Sequence, residues 1–267
     1  MMNTKPVLVL ALVTLLGVSC SQSGQGVSTN SPASQMIIST TETTAQGSPL
    51  KEAKLNIEHN ATDGDTGFQG FVDSEGWSNL VVTGPGGDVL TIDGQGKLGD
   101  LGLTELFFES VEPANADVSI ADILRALPEG YYTIEGSAKE AGETKGQTGG
   151  VAWLTHTIPA APVLLSPEEE AVVSAEHDLT FSWEPVTETI DGSEVQIISY
   201  QLIVEKTGQP HPHMIGKIGL SMYLPASVTS ITIPKEFLES GTSYDWEVLA
   251  IEESGNQTLS SSTFRTQ

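Results

Sequence analysis

The chain has 267 residues, which is the length of one or two domains, and 38% of its residues are hydrophobic, with 27 Gly and 14 Pro. This composition is typical of compact, turn-rich β modules. The chain has 35 acidic residues against 11 basic residues, and the resulting formal net charge of −24 argues against a nucleic-acid partner, because a phosphate backbone would be repelled.

Residues 1–19 have the pattern of an export signal. Lys5 precedes an apolar run from Val7 to Leu16 that is too short for a permanent membrane span. The stretch from Leu16 to Cys20 resembles the lipoprotein box of bacterial lipoproteins. That resemblance implies cleavage before Cys20, acylation of its sulfur with palmitate-type chains, and a lipid anchor in the bacterial cell envelope, at the outer membrane or the cell surface. The alternative is an ordinary signal peptide in which Cys20 is incidental.

Two features of the following residues agree with a lipid anchor. Cys20 is the only cysteine, so no intramolecular disulfide can form. Residues 20–50 are rich in Ser, Thr, Gly and Gln and carry one charge, Glu42. Such a segment cannot bury enough apolar surface to fold alone, and it is predicted to be a disordered tether.

Residues 51–159 are predicted to form a β-sandwich of about six or seven strands. The helical pattern in this half covers Val118–Leu127, with Ser119 as its N-cap. The strand candidates, separated by glycine-containing turns, are Ala53–His59, Ser78–Thr83, Val89–Asp93, Leu103–Glu109, Tyr131–Gly136 and Val151–Ile158.

An acidic loop in this half is a candidate calcium site. Asp63 and Asp65 flank Gly64, and short acidic side chains around a glycine turn can present several oxygens to Ca²⁺. No bidentate Glu occupies the twelfth position, so the alternative is a polar Asx turn between strands. The aromatic residues beside the loop are predicted either to be core or to form a sugar-stacking platform, and they are Phe68, Phe71 and Trp77.

The sequence pattern of residues 160–267 is more specific than that of residues 51–159. The predicted strands begin with Pro162–Pro167, Leu179–Pro185 and Ile198–Glu205. Leu238, Gly241 and Tyr244 then follow at the spacing of a tyrosine corner, and this pattern resembles the fibronectin type III family. The resemblance implies an immunoglobulin-like sandwich. Its predicted structural core consists of Trp183, Tyr200, Leu238, Gly241 and Tyr244.

No residue constellation in the sequence predicts a reaction. Ser48 and Lys51 have the spacing of a Ser-Xaa-Xaa-Lys pair but lack the helix that would aim the lysine at the serine. His211 and His213 could chelate a metal, although an exposed loop is the expected role because no third ligand is nearby in the sequence. The two Asn-Xaa-Thr triplets, at Asn60 and Asn256, are interpreted as accidental in a bacterial lipoprotein.

The sequence therefore predicts an all-β protein with two immunoglobulin-like sandwiches, the first with a short helix, behind a disordered tether. The predicted function is a non-catalytic binding or adhesion module with a protein or glycan ligand, held at a membrane through its lipid. The alternatives are an accessory component of a polysaccharide-processing system and a structural spacer. An exposed aromatic strip on the first sandwich would favour ligand binding over the spacer.

Overall fold

The computed structural model describes residues 48–267. The export signal (1–19), Cys20 and the tether up to residue 47 lie outside the described residues. Most of the described residues are in β-strands. None of the helices in residues 48–267 is long and apolar enough to cross a membrane.

The N-terminal half contains six strands and two short helices. The strands are β1 (Glu52–Asn60), β2 (Asp65–Gly84), β3 (Gly87–Asp93), β4 (Leu103–Glu109), β5 (Gly130–Glu140) and β6 (Glu143–Leu154). The helices are α1 (Gly96–Leu101) and α2 (Ile120–Leu124). The hydroxyl of Ser119 accepts a hydrogen bond from the backbone N–H of Asp122 at the start of α2.

The long strand β2 organises this half. Its first part pairs with β1 and β4, and its second part pairs with β3 and β5. The register shifts between Asp73 and Trp77. Because one strand serves both groups of partners, the sheet folds around a single core, whose fully buried members include Ile57, Leu80 and Ile134.

Several sequence expectations for this half need correction. The strand expected at 78–83 is only the end of β2. The strand expected at 151–158 is β6, which begins earlier and ends at Leu154. Gly149 and Gly150 lie inside β6, and at Gly150 a side chain would not fit, because a Cβ there would lie 2.8 Å from Cβ of Ala53. Leu50, assigned by sequence to the tether, packs in the N-terminal core.

The C-terminal half is a sandwich of two sheets. Its strands are β7 (Leu164–Ser166), β8 (Ala171–Val173), β9 (Leu179–Trp183), β10 (Ile197–Lys206), β11 (Gly219–Pro225), β12 (Ser230–Ile233), β13 (Ser243–Glu252) and β14 (Gln257–Thr266), with a 3-10 turn at Lys235–Phe237. One sheet has the order β12-β9-β7, and the other has the order β11-β10-β13-β14, with β8 beside β14. This is an immunoglobulin-like arrangement, as the type III resemblance implies.

A second core lies between these two sheets. Trp183, Tyr200, Leu238 and Tyr244 are all buried in it. The Tyr244 hydroxyl accepts a hydrogen bond from the backbone N–H of Glu239 at 2.9 Å, which fixes the preceding turn to the strand. Gly241 in that turn has a φ of +71°, a conformation that glycine adopts without steric cost.

A polar joint connects the two halves. Strand β1 pairs in parallel with β14, so one hydrogen-bonded sheet runs through both halves. The side chain of Asn256 accepts a hydrogen bond from the backbone N–H of Ile57 at 2.8 Å and donates to the carbonyls of Thr155 and Thr157. Asn256 is 1% exposed. An amide that is buried and bonded in this way cannot carry a glycan, which supports the interpretation of its triplet as accidental.

Candidate functional site

An exposed aromatic pair lies on the outer face of the N-terminal sheet. Tyr131 of β5 and Trp153 of β6 are direct cross-strand neighbours, and their ring centroids are 4.5 Å apart with planes inclined at 53°. Tyr131 is 63% exposed and Trp153 is 46% exposed. Val151, two residues before Trp153 on the same face, is 59% exposed. Together these three side chains make an apolar patch, which we call the aromatic patch.

Strand alternation explains why the patch is exposed. The next residues along the same two strands, Tyr132 and Leu154, are fully buried in the N-terminal core. Successive side chains of a strand point to opposite faces, so Tyr131 and Trp153 must point away from that core. The patch is therefore a fixed feature of a paired sheet and does not depend on a loop conformation.

Apart from Val81, the rest of this outer face is polar and acidic. The registers of β2, β3, β5 and β6 place Thr133, Glu135, Thr83, Asp88, Thr91 and Asp93 on the same side as the patch. Glu135, Asp88 and Asp93 are exposed. None of the ion pairs formed within residues 48–267 includes any of these three carboxylates. The outer face thus combines aromatic rings with unneutralised negative charge.

Of the aspartates predicted to bind calcium, Asp63 lies in the tight turn between β1 and β2, and Asp65 is the first residue of β2. Oδ1 of Asn60 accepts hydrogen bonds from the backbone N–H groups of Thr62 and Asp63, and its amide donates to the Asp63 carboxylate at 3.1 Å. Gly64 has a φ of +70°. These bonds describe an Asx turn. Calcium binding at Asp63 and Asp65 stays a prediction.

Three glutamates come together nearby. The sequence suggested Glu109 only as half of a carboxylate pair with Glu105, which was expected to be a solvated rim, and it did not predict this cluster. Glu58, Glu109 and Glu112 each contribute a carboxylate oxygen, and these oxygens lie within 4.8 Å of one another. Oxygens at this spacing could share a divalent cation. Within residues 48–267 this is the only group of at least three His, Cys, Asp or Glu side chains with that proximity, and it includes neither Asp63 nor Asp65.

The glutamate cluster is built by strand register. Glu58 of β1 and Glu109 of β4 lie on opposite sides of β2, and Gln69 of β2 donates a hydrogen bond to Glu109 at 2.8 Å. Gln257 of β14 donates to Glu58 and also to Oε1 of Gln69. A chain of amides and carboxylates therefore crosses four strands. Glu58 is far from Glu109 and Glu112 in the sequence, so only the pairing of the strands could have identified the cluster.

Burial disfavours the charged forms in this cluster. Burial raises the pKa of Glu58 from 4.5 to about 7, and the hydrogen bond from Gln257 opposes that rise. Burial also raises the pKa of Glu112 to about 8, and the neighbouring charges of Glu58 and Glu109 act in the same direction. Glu247 of β13 is similarly buried, and its pKa is raised to about 7.

Other side chains considered from the sequence do not come together as a site. The rings of His211 and His213 have centroids 5.5 Å apart and are exposed, and no third ligand joins them among the described residues. The Lys51 ammonium forms an ion pair with Glu75 at 2.9 Å, and this contact raises the pKa of Lys51. A catalytic lysine base needs the opposite change. Phe68 and Trp77 are buried in the N-terminal core and are not available for sugar stacking.

Three solved structures match this chain, each with a TM-score of 0.30 or lower. A two-domain fibronectin type III segment of chicken tenascin matches with a TM-score of 0.28 and 12% identity, covering 81% of this chain and 99% of that chain. The FN1–FN3 domains of chicken CNTN1 match with a TM-score of 0.30 and 11% identity, covering 83% of this chain and 65% of that one. The fn3 domain of human collagen alpha-1(XX) matches with a TM-score of 0.27 and 21% identity, covering 42% of this chain and 88% of that chain. No known protein family and no curated protein matches the sequence.

Proposed function

We propose that this protein is a bacterial cell-envelope lipoprotein that acts as a non-catalytic binding module. Its lipid would be attached at Cys20, and residues 20–50 would form the tether that holds the folded part at the outer membrane or the cell surface. The aromatic patch would be its contact surface for a ligand.

The observation that carries the binding proposal is the exposure of Tyr131 and Trp153 side by side. Large aromatic side chains supply much of the binding energy at interfaces, because each removes a large apolar area from water when it is covered. A spacer has no need for two contacting aromatic rings on a solvent-facing sheet. The patch therefore favours ligand binding over the purely structural role.

Ligand retention tests this proposal directly. The full chain, purified in mild detergent, would be applied to an array of neutral glycans, acidic peptides and basic peptides. We expect that at least one class of probe is retained, and that Tyr131→Ala combined with Trp153→Ala lowers the retention at least tenfold. Tyr223→Ala is the matched control, because Tyr223 is 60% exposed in the other half of the molecule. Equal loss with the control, or no loss with the double variant, would contradict the proposal.

The anchor is tested separately by Cys20→Ser in the producing bacterium. Without the thiol no acyl chain can be attached, and each acyl methylene contributes about 0.8 kcal/mol to membrane affinity. We expect the variant to leave the membrane fraction or to accumulate as an unprocessed precursor. Processing and membrane association identical to those of the wild-type protein would show that Cys20 is not the anchor.

A further inference from the structure

We infer that the outer face around the aromatic patch binds a basic polypeptide segment whose Lys or Arg side chains contact Tyr131 and Trp153. This inference rests on the proposed binding function and names the chemistry of the ligand. Three observations support it: the ring pair, the sign of the charges on the same face, and the spacing between rings and carboxylates.

The rings favour a cationic ligand. The face of an aromatic ring carries negative electrostatic potential, and tryptophan is the strongest such partner for an ammonium or guanidinium group. Tyr131 and Trp153 keep 63% and 46% of their surface exposed while in contact with each other. A guanidinium plane can stack on either ring, and the methylenes of its side chain can cover the neighbouring Val151.

The charges around the rings have only one sign. By strand register, the charged side chains on this part of the outer face are Glu135, Asp88 and Asp93. None of the ion pairs within residues 48–267 engages them, and the whole chain carries a formal charge of −24. An anionic polymer would be repelled by this surface, and a neutral glycan could donate hydroxyl hydrogen bonds to the three carboxylates but would gain no charge pairing from them. Charge complementarity therefore selects a basic partner.

The geometry suits an extended segment. Tyr131 and Glu135 are four residues apart on one face of β5, which corresponds to about 13 Å along a strand. An extended peptide presents its own side chains on one side at intervals of about 7 Å. One basic residue over the rings and another four positions away would thus meet Glu135.

The test uses a nonapeptide of alternating Arg and Ser and the same peptide with Glu in place of Arg. Binding of both peptides to the full chain in mild detergent would be measured by calorimetry at about 0.1 M salt, where surface charges act over roughly 10 Å. We expect the Arg peptide to bind and the Glu peptide not to bind. The double substitution Tyr131→Ala and Trp153→Ala should lower the affinity for the Arg peptide at least tenfold, and Glu135→Gln should lower that affinity about threefold.

Glu253→Gln is the control that distinguishes an effect of the charges on this face from an effect of the overall negative charge of the chain. Glu253 is exposed and lies between β13 and β14 of the C-terminal half, so its substitution removes the same charge at a remote place. We expect its affinity for the Arg peptide to equal that of the wild-type protein. Equal effects of Glu135→Gln and Glu253→Gln, or unchanged affinity in the double ring variant, would overturn the inference. If neutral glycans bind to Tyr131 and Trp153 and the Arg peptide does not, this inference fails and the proposed binding function stands.

Discussion

Replacing Trp183 with alanine is expected to destabilise the C-terminal sandwich by about 3 to 5 kcal/mol. Trp183 lies on β9, is 2% exposed, and packs against Tyr200 with ring centroids 5.5 Å apart. Alanine would leave a cavity between the two sheets that the surrounding strands cannot close. Because domains of this kind have a total stability of about 5 to 15 kcal/mol, the variant should be close to unfolding.

Urea unfolding followed by tryptophan fluorescence and circular dichroism measures this loss. Trp153→Ala is the comparison variant, because it makes the same substitution at a partly exposed position, where loss of the contact with Tyr131 is expected to cost only about 0.5 to 1.5 kcal/mol. The two cores share no residue. The substitution should therefore destabilise the N-terminal core around Trp77 less than the C-terminal core around Trp246. A Trp183→Ala protein as stable as the Trp153→Ala protein would contradict the assignment of Trp183 to the core.

Replacing Glu58 with glutamine is expected to stabilise the protein at pH 8 by about 3 kcal/mol and to have little effect at pH 4. Glu58 is 4% exposed, and burial raises its pKa to about 7 from 4.5. Below pH 4.5 the carboxyl is protonated in both the folded and the unfolded protein. As the pH rises from 4.5 to 7, the unfolded protein releases this proton first, so the folded state loses stability. Above pH 7 the full cost of the buried charge remains.

Glutamine removes that charge and keeps an oxygen that accepts the hydrogen bond from Gln257. The measurement is the unfolding free energy from urea titrations between pH 4 and pH 9. The wild-type curve should fall with rising pH, in part because the pKa values of Glu112 and Glu247 are also raised, and the curve of the variant should fall less steeply. Glu253→Gln removes an exposed glutamate and should leave the slope unchanged. Parallel curves for the wild-type protein and Glu58→Gln would show that Glu58 is not buried as a charge.

The C-terminal sandwich could be predicted from sequence because large core residues recur at every second position of a strand. Tyr244, Trp246, Val248 and Ala250 occupy every second position of β13, and all four are buried. The tyrosine corner adds a fixed local spacing of three residues between Gly241 and Tyr244. Both signals are local in the chain, so they can be recognised without knowing which strands pair.

The N-terminal half was harder to predict because its signals depend on pairing. The strand predicted at 151–158 began after Gly150, yet Gly150 lies inside β6, where Ala53 and Leu50 approach the strand backbone. The alternation around Tyr131 predicted a strand, but it could not show which face the core would take. Glu58 and Glu109 become neighbours only through the register that places Gln69 opposite Glu109, which the sequence does not display.

The proposal that the aromatic patch is the ligand-binding surface is tested most directly by the solvent access of Trp153. Trp153 is 46% exposed, whereas the other three tryptophans, Trp77, Trp183 and Trp246, are at most 2% exposed, so collisional quenching by acrylamide reports mainly on this side chain. We expect quenching to fall when the full chain is saturated with the alternating Arg and Ser peptide, or with whichever probe the array retains. Quenching that stays unchanged while the probe is bound would place the binding surface elsewhere and contradict the proposal.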